Sequence, residues 1–420
     1  MAKRSLPKPR IFISHSAHEP QAGRVLNCLV EHLKPDFDVL YDKERLKAGQ
    51  EWRDELFVWM HKAHSSVILF SASALESDWV RTEASVLSWR QALDRGGSFR
   101  VIPVLLDPVK RSDLESKRFS PMRLTNLQLV RSGDAATIGR EVSEGLHHLI
   151  KNKPPETPIE QLGRKIAHIM REVDEAELLN AARAMQVDVS EWDESGEYRL
   201  LLAGEMLARG LPKANKALLE LDAYLSPEDI STLIELIAPT WVKLHAASRI
   251  PGIATRADAP RVMWVNGGEQ AKFVEYTGTS FVRRACCRSP NSCWPILIIP
   301  NAGGEDDIGY FKNVIRRSLK SRVLRDEGAK DSELEIVLQM RERDKEPIFI
   351  TFAPPAPATE VLDELRNTFK TLTFFVLTGF QPAGAAPSLP AGAEFLEPEL
   401  GSGEEAEAYF EYINAKSHYP

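Results

Sequence analysis

A chain of 420 residues is too long for one typical domain and calls for two or three. A formal net charge of −7 and a pI near 5.9 exclude the global basic field that gathers nucleic acid. There is no run of about 18 apolar residues, and Met1-Ala2-Lys3-Arg4-Ser5-Leu6-Pro7 has no apolar signal core, so a cytoplasmic protein without a membrane span is expected.

The first element in chain order is a short apolar strand, Arg10-Ile11-Phe12-Ile13, ending in the small polar residues Ser14, His15 and Ser16. Val25, Leu26, Leu29, Val30 and Leu33 then recur at helical spacing. Asp38-Val39-Leu40-Tyr41 reads as a second strand, and the charged run 42–51, with Asp42, Arg45 and Lys47, as a loop leading into a helix at Trp52. Ser66-Val67-Ile68-Leu69-Phe70 is a buried strand, after which Trp79, Glu83, Val86 and Leu87 share one helix face. Val101 to Leu106 is another buried strand, and Leu127 to Val130 is predicted as an edge strand. Strands alternating with helices predict a parallel, doubly wound sheet. Ligands bind such a sheet at the carboxyl ends of its strands. A carboxylate one turn from a large aromatic at that edge suits a ribose and a positively charged transition state.

These pieces resemble a Toll/interleukin-1 receptor (TIR) domain of the bacterial type. The resemblance rests on Phe12-Ile13-Ser14-His15-Ser16, on Tyr41-Asp42 with Gly49 and Trp52, and on Ser71, Ser77, Trp79 and Glu83. It covers residues 1–150 and implies a flavodoxin-like α/β fold. In the enzymatic branch of that family the glutamate at the position of Glu83 is catalytic for cleavage of NAD between nicotinamide and ribose. Other branches are adaptors without catalysis. The resemblance places Ser14, His15, Asp42, Arg45, Lys47, Ser71 and Trp79 around the substrate. The ordinary readings of the same residues stand beside these. Trp79 is also a candidate core residue, Asp42 a loop-shaping residue, and Arg45 and Lys47 members of a solvated charge run, or cations facing a pyrophosphate. His15 divides evenly between a plain loop residue and a contact with the dinucleotide.

The proline-rich segment 151–158 reads as a linker. Residues 159–245 then show short amphipathic helices and no strand alternation: Ile159 to Met170, Glu175 to Met185, Tyr198 to Arg209, Lys213 to Leu221 and Pro227 to Ile237. Ser226 is placed to cap the last of these, with Pro227 at its first position. This small helical bundle resembles the effector-associated domains of bacterial conflict systems. Residues 246–420 return to α/β, with strands at Pro295 to Pro300, Ile348 to Phe352 and Leu372 to Thr378. The glycine loop 301–309 follows the first of them but carries Glu305, Asp306 and Asp307 where a phosphate-binding loop has Lys and Ser or Thr. That pattern resembles the inactive STAND-type modules found beside effector domains, which sense or assemble without hydrolysing ATP. Residues 250–293 receive no assignment. The basic stretch Arg316 to Arg322 reads as a solvated helix face. Cys28, Cys286, Cys287 and Cys293 lack zinc-site spacing and read as buried or free thiols.

Two functions follow. One is an NAD glycohydrolase, with NAD as substrate and neither cofactor nor metal required, releasing nicotinamide with ADP-ribose or a cyclic product. By resemblance it acts as an oligomer in antiviral defence, self-associating through its TIR domains and answering an unknown trigger or partner through its C-terminal domains. The alternative is a non-enzymatic adaptor that self-associates and recruits partners.

Overall fold

The computed structural model describes residues 8–16, 19–41, 52–94, 99–116, 118–131, 134–151, 156–190, 192, 196–254, 261–268, 270–287, 293–300, 308–344, 346–379, 393–396 and 402–419. The chain divides into two compact units, residues 1–160 and 161–420.

The first unit is built on a five-stranded parallel sheet: β1 (Arg10–Ser14), β2 (Asp38–Leu40), β3 (Ser65–Phe70), β4 (Val101–Leu105) and β5 (Val130–Arg131), in the order β2-β1-β3-β4-β5. All six residues of β3 are buried, which is why it reads as an unbroken apolar run and not as an alternation. Helix α1 (Pro20–Leu33) buries Ala22, Val25, Leu26, Leu29, Val30 and Leu33, and the five larger apolar side chains contribute about 1.5–3 kcal/mol each. The last strand is displaced from its expected place: Leu127 lies before it, and the pairing is made by Val130 and Arg131. A two-residue edge strand carries too little pattern to be positioned by periodicity.

Further helices are α2 (Trp52–Lys62), α3 (Ala72–Glu76), α4 (Asp78–Leu93) and α5 (Ala135–Leu146). Helix α5 lies along α1, and a Cβ added at Gly139 would meet the His32 ring at 2.9 Å, so glycine sets that close approach. Ser77 starts α4 by accepting a hydrogen bond from the Val80 amide at 3.2 Å. A serine cap of this kind is worth about 1 kcal/mol. It also sets the phase of α4, and so the direction in which Glu83 points.

The second unit opens with the helices α6 (Pro158–Ile169), which runs on from the first, α7 (Glu175–Ala184), α8 (Tyr198–Arg209), α9 (Leu211–Leu221) and α10 (Pro227–Ile237). Their apolar faces form one core, in which Leu178, Ala181, Met206, Ala217, Ile230 and Ile234 are fully buried. Ser226 caps α10 as its sequence predicts, accepting from the Asp229 amide at 3.1 Å.

The same unit holds a second parallel sheet: β6 (Val262–Val265), β7 (Ile296–Ile299), β8 (Ile348–Phe352), β9 (Leu372–Leu377) and β10 (Glu394–Leu396), in the order β10-β6-β9-β8-β7. Strand β6 and helix α11 (Ala271–Cys286) fall in the stretch that sequence reasoning left unassigned. The strand is only four residues long. The helix is rich in Thr, Gly and Ser, which are poor helix formers, and tertiary packing supplies what propensity lacks. Gly278 lets it close on β8, since a Cβ there would meet Thr351 Oγ1 at 3.1 Å.

Strand β7 is therefore not the first strand of this sheet but an edge strand, reached after β6 and α11. The acidic loop taken for a degenerate phosphate loop follows that edge, and its residues 301–307 lie outside those described. The unit also holds the helices α12 (Ile308–Leu319), α13 (Asp331–Arg343), α14 (Thr359–Thr368) and α15 (Ser402–His418), besides two short helical turns at Leu244–Ala247 and Ile250–Ala254. The basic stretch on and after α12 is answered locally: Lys320 pairs with Asp331 at 2.7 Å and Arg317 with Glu327 at 3.4 Å. No helix among the described residues is long and apolar enough to cross a membrane.

One titrating group is built into the first sheet. His64 Nδ1 accepts the Arg10 backbone N–H at 2.8 Å and so ties the start of β1 to the chain entering β3. Burial, reinforced by the Arg10 guanidinium, lowers the His64 pKa to about 4. An unfolded histidine titrates near 6.5. Between those values the unfolded chain binds more protons than the folded one, so stability falls as pH falls. The first unit should therefore lose thermal stability steadily from about pH 6.5 to about pH 4, and His64→Gln should flatten that slope. Melting curves across the interval check it.

Candidate functional site

In a sheet of order β2-β1-β3-β4-β5, the connections from β1 and β3 leave toward opposite edges. The crevice at the carboxyl ends of these two strands is the ligand-binding position of such a fold. Ser14 is the last residue of β1 and pairs in register with Ile68 of β3, so it stands at that crevice. His15 and Ser16 follow and are buried.

Glu83 reaches the crevice from α4. Its Oε2 accepts the Ser14 hydroxyl at 2.5 Å, and its Oε1 accepts the Trp79 indole N–H at 2.7 Å. The carboxylate is 3% exposed. The second bond is the i, i+4 spacing of one helix turn made into chemistry, while the first joins residues 69 positions apart. These two bonds fix the direction of the carboxylate.

Trp79 is itself held. Phe57 of α2 meets its ring edge to face, with centroids 5.6 Å apart and planes at 85°. Such a pair adds about 0.5–1.5 kcal/mol beyond the area it buries. Phe57 was not anticipated from sequence; its only signal is an aromatic on the helix that follows the charged loop.

The remaining expected site residues separate. Ser71 is fully buried, caps α3 by accepting from the Ala74 amide at 3.3 Å, and lies 3.1 Å from the Ser73 hydroxyl. Its observed contacts are those of a cap at the end of β3. Glu19 is a second unanticipated contributor, accepting the Ser73 amide at 2.6 Å and so tying the start of α1 to the α3 turn. Asp42, Arg45 and Lys47 fall in the segment 42–51, outside the described residues. The structure thus brings Ser14, Trp79 and Glu83 together by direct hydrogen bonds and puts His15 beside Ser14 in the chain.

What the trio can do follows from its charge and direction. A fixed carboxylate, screened from water, stabilises positive charge developing beside it without reorganising at the moment of reaction. A carboxylate also accepts hydrogen bonds from vicinal hydroxyls.

Residues 11–138 match the family described as the TIR domain, and this segment is a TIR domain. Among solved structures, the chain is similar to the TIR domains of the activated Roq1 resistosome directly recognizing the pathogen effector XopQ. The likeness has 14% identity and a TM-score of 0.29, over 33% of this chain and 99% of that one. No curated protein matches the chain.

Removing either donor tests the clamp. Ser14→Ala removes a donor from one oxygen of a buried carboxylate, and Trp79→Phe removes one from the other while keeping a ring against Phe57. Each should cost the first unit about 1–3 kcal/mol, the penalty for a buried acceptor left without its donor. Urea unfolding followed by far-UV circular dichroism measures it; an unmoved transition would show that the carboxylate is held by other groups.

Proposed function

We propose that the TIR domain at residues 11–138 cleaves NAD at the nicotinamide–ribose bond, with Glu83 as the catalytic residue. The observation that carries this reading is the buried Glu83 carboxylate, aimed by Ser14 and Trp79 into the crevice between β1 and β3. In this reading the ribose hydroxyls on the nicotinamide side donate to the Glu83 carboxylate. As the C–N bond breaks, the bonding pair leaves with nicotinamide, which becomes neutral, and the ribose gains oxocarbenium character. Glu83 stabilises that charge electrostatically. Water adds to the anomeric carbon and loses a proton, giving ADP-ribose; attack by the adenine ring instead gives a cyclic product. Ser14 and Trp79 aim the carboxylate, and His15, Ser71 and the basic residues Arg45 and Lys47 with Asp42 are proposed around the rest of the dinucleotide.

One observation favours the second reading, an adaptor without catalysis: a carboxylate 3% exposed is covered in this conformation. A ligand reaches it only after side chains move. The enzymatic reading meets this by requiring activation. The chain is then silent until its TIR domains assemble, with the second unit sensing or clustering, and the outcome in a bacterium under viral attack is NAD depletion. On this reading the second unit hydrolyses no ATP.

Glu83→Gln keeps the size of the side chain and removes its charge. It should lower nicotinamide release by at least about a thousandfold, the scale of losing a principal electrostatic group, while the far-UV spectrum is unchanged. Chromatographic product analysis of the full chain with NAD decides it: turnover at the wild-type rate refutes the assignment, and no turnover by the assembled wild type supports the adaptor.

Activity per molecule should rise steeply with protein concentration or on adding a trigger. Specific activity followed together with mass by light scattering tests this, and full activity in a strict monomer overturns the assembly requirement.

A further inference from the structure

The second sheet has its own ligand position. Strand β6 sends its connection through α11 to β7 at one edge, and β9 sends its connection to β10 at the other. These two connections run past one another in opposite directions, so right-handed crossovers leave the adjacent strands β6 and β9 toward opposite faces of the sheet, and the crevice at their carboxyl ends is where an open α/β sheet binds ligands. Asn266, Gly267 and Gly268 leave β6 there, and Thr378 and Gly379 leave β9.

The chain fills this crevice itself. Glu405, near the start of α15, is fully buried, and its Oε1 accepts both the Gly268 amide at 2.7 Å and the Thr277 hydroxyl of α11. The loop is shaped for it. Gly268 has φ +75°, and a Cβ at Gly267 would stand 3.0 Å from the Glu405 oxygen. The neighbouring groups are already engaged with one another: the Gly379 amide donates to Gly267 O at 2.8 Å, and the Thr378 hydroxyl to Asn266 Oδ1 at 2.8 Å. The Gly268 amide and the Thr277 hydroxyl are thus given to an acceptor on another element, and that acceptor is carried by the C-terminal helix.

The two halves of α15 are held by different means. Toward its C-terminus, Ala415 and the following Tyr419 are buried in the core of the helical bundle. Tyr412 donates to Glu235 at 2.6 Å, and Lys416 donates to Ser231 at 2.6 Å. Toward its N-terminus the one fully buried side chain is a carboxylate, not an apolar group. Its other attachments there include the Ala408 carbonyl, which accepts the Tyr276 hydroxyl at 3.0 Å, and the partly exposed ring of Tyr409, which meets Phe273 and Tyr276 at 5.0 Å and 5.5 Å between centroids. Phe410, beside Tyr409, is 48% exposed. A segment with few buried apolar contacts opens locally at low cost, whereas a buried carboxylate without its donors is costly to leave in place. The N-terminal half therefore has two states: Glu405 seated, or that half released with its carboxylate in water.

We infer that Glu405 is the resident occupant of the second sheet's ligand crevice and that residues 402–410 form a strap. The strap opens as a unit while 411–419 stay anchored on the bundle. Opening bares the Gly268 amide and the Thr277 hydroxyl, two donors facing one point, and so admits an acceptor-bearing, anionic group in place of Glu405. The inference concerns the second unit alone and stands whether or not the first unit cleaves NAD.

Hydrogen exchange on the full chain, read by mass spectrometry, tests it. In Glu405→Gln, which keeps the shape and loses the charge, amides of 403–409 and Gly268 should exchange at least about tenfold faster, while those of β8, β9 and 411–418 keep wild-type rates. Thr277→Val, which removes one donor from the crevice side, should give the same pattern and serves if the Glu405 variant does not fold. Unchanged exchange in 403–409 overturns the strap. So does acceleration spread through the whole unit with a lowered melting temperature, because that is the response of an ordinary core residue.

Discussion

A carboxylate taken out of water must be met by donors, and this constraint organises both halves of the molecule. In the first unit Glu83 is met by a hydroxyl from the end of β1 and an indole N–H from its own helix. In the second, Glu405 is met by a loop amide after β6 and a hydroxyl of α11. Each pairing stands at the carboxyl ends of two adjacent strands whose connections run in opposite directions, where the parallel sheet leaves a crevice. Burying such a charge costs several kcal/mol unless its geometry is good. Strands, caps and glycines around each site are arranged accordingly.

The two carboxylates differ in how they are held. Glu83 sits on a helix firmly packed on the sheet, with Ala84 and Leu87 fully buried beside it. Its direction is fixed by a donor on each oxygen. Glu405 sits on a helix whose neighbouring turns remain partly exposed, and its Oε1 takes two donors. The packing around the two groups differs, and the proposed fixed role of the one and releasable role of the other both rest on that difference.

Where sequence reasoning worked, it did so because the signal was local. Strand β3 reads as buried since all its residues are buried, and α1 reads as amphipathic because its apolar residues follow the helical period. Ser226 announces a helix start by position and chemistry and caps as expected. Where it missed, the signal was absent or spread along the chain. Strand β6 has four residues and α11 is made of poor helix formers, so both exist through tertiary contact. With no local signal for β6, β7 reads as the first strand of its sheet, and the resemblance to a phosphate loop falls at an edge. The part of Phe57 in holding Trp79 has no local signature at all.

The sequence by itself determined the parallel sheet of the first region, the α/β character of the last, the helical stretch between them, and the Trp79–Glu83 turn, since each depends on spacing within about twenty residues. It determined also that a glutamate, not a neutral residue, stands one turn after the tryptophan. Only the tertiary structure decided that Ser14 closes on Glu83 from 69 residues away, and that Glu405 closes on Gly268 from 137 residues away. Those pairings depend on strand order, and strand order is set by which long-range packing buries the most apolar surface while answering every buried charge. No window of sequence contains that information.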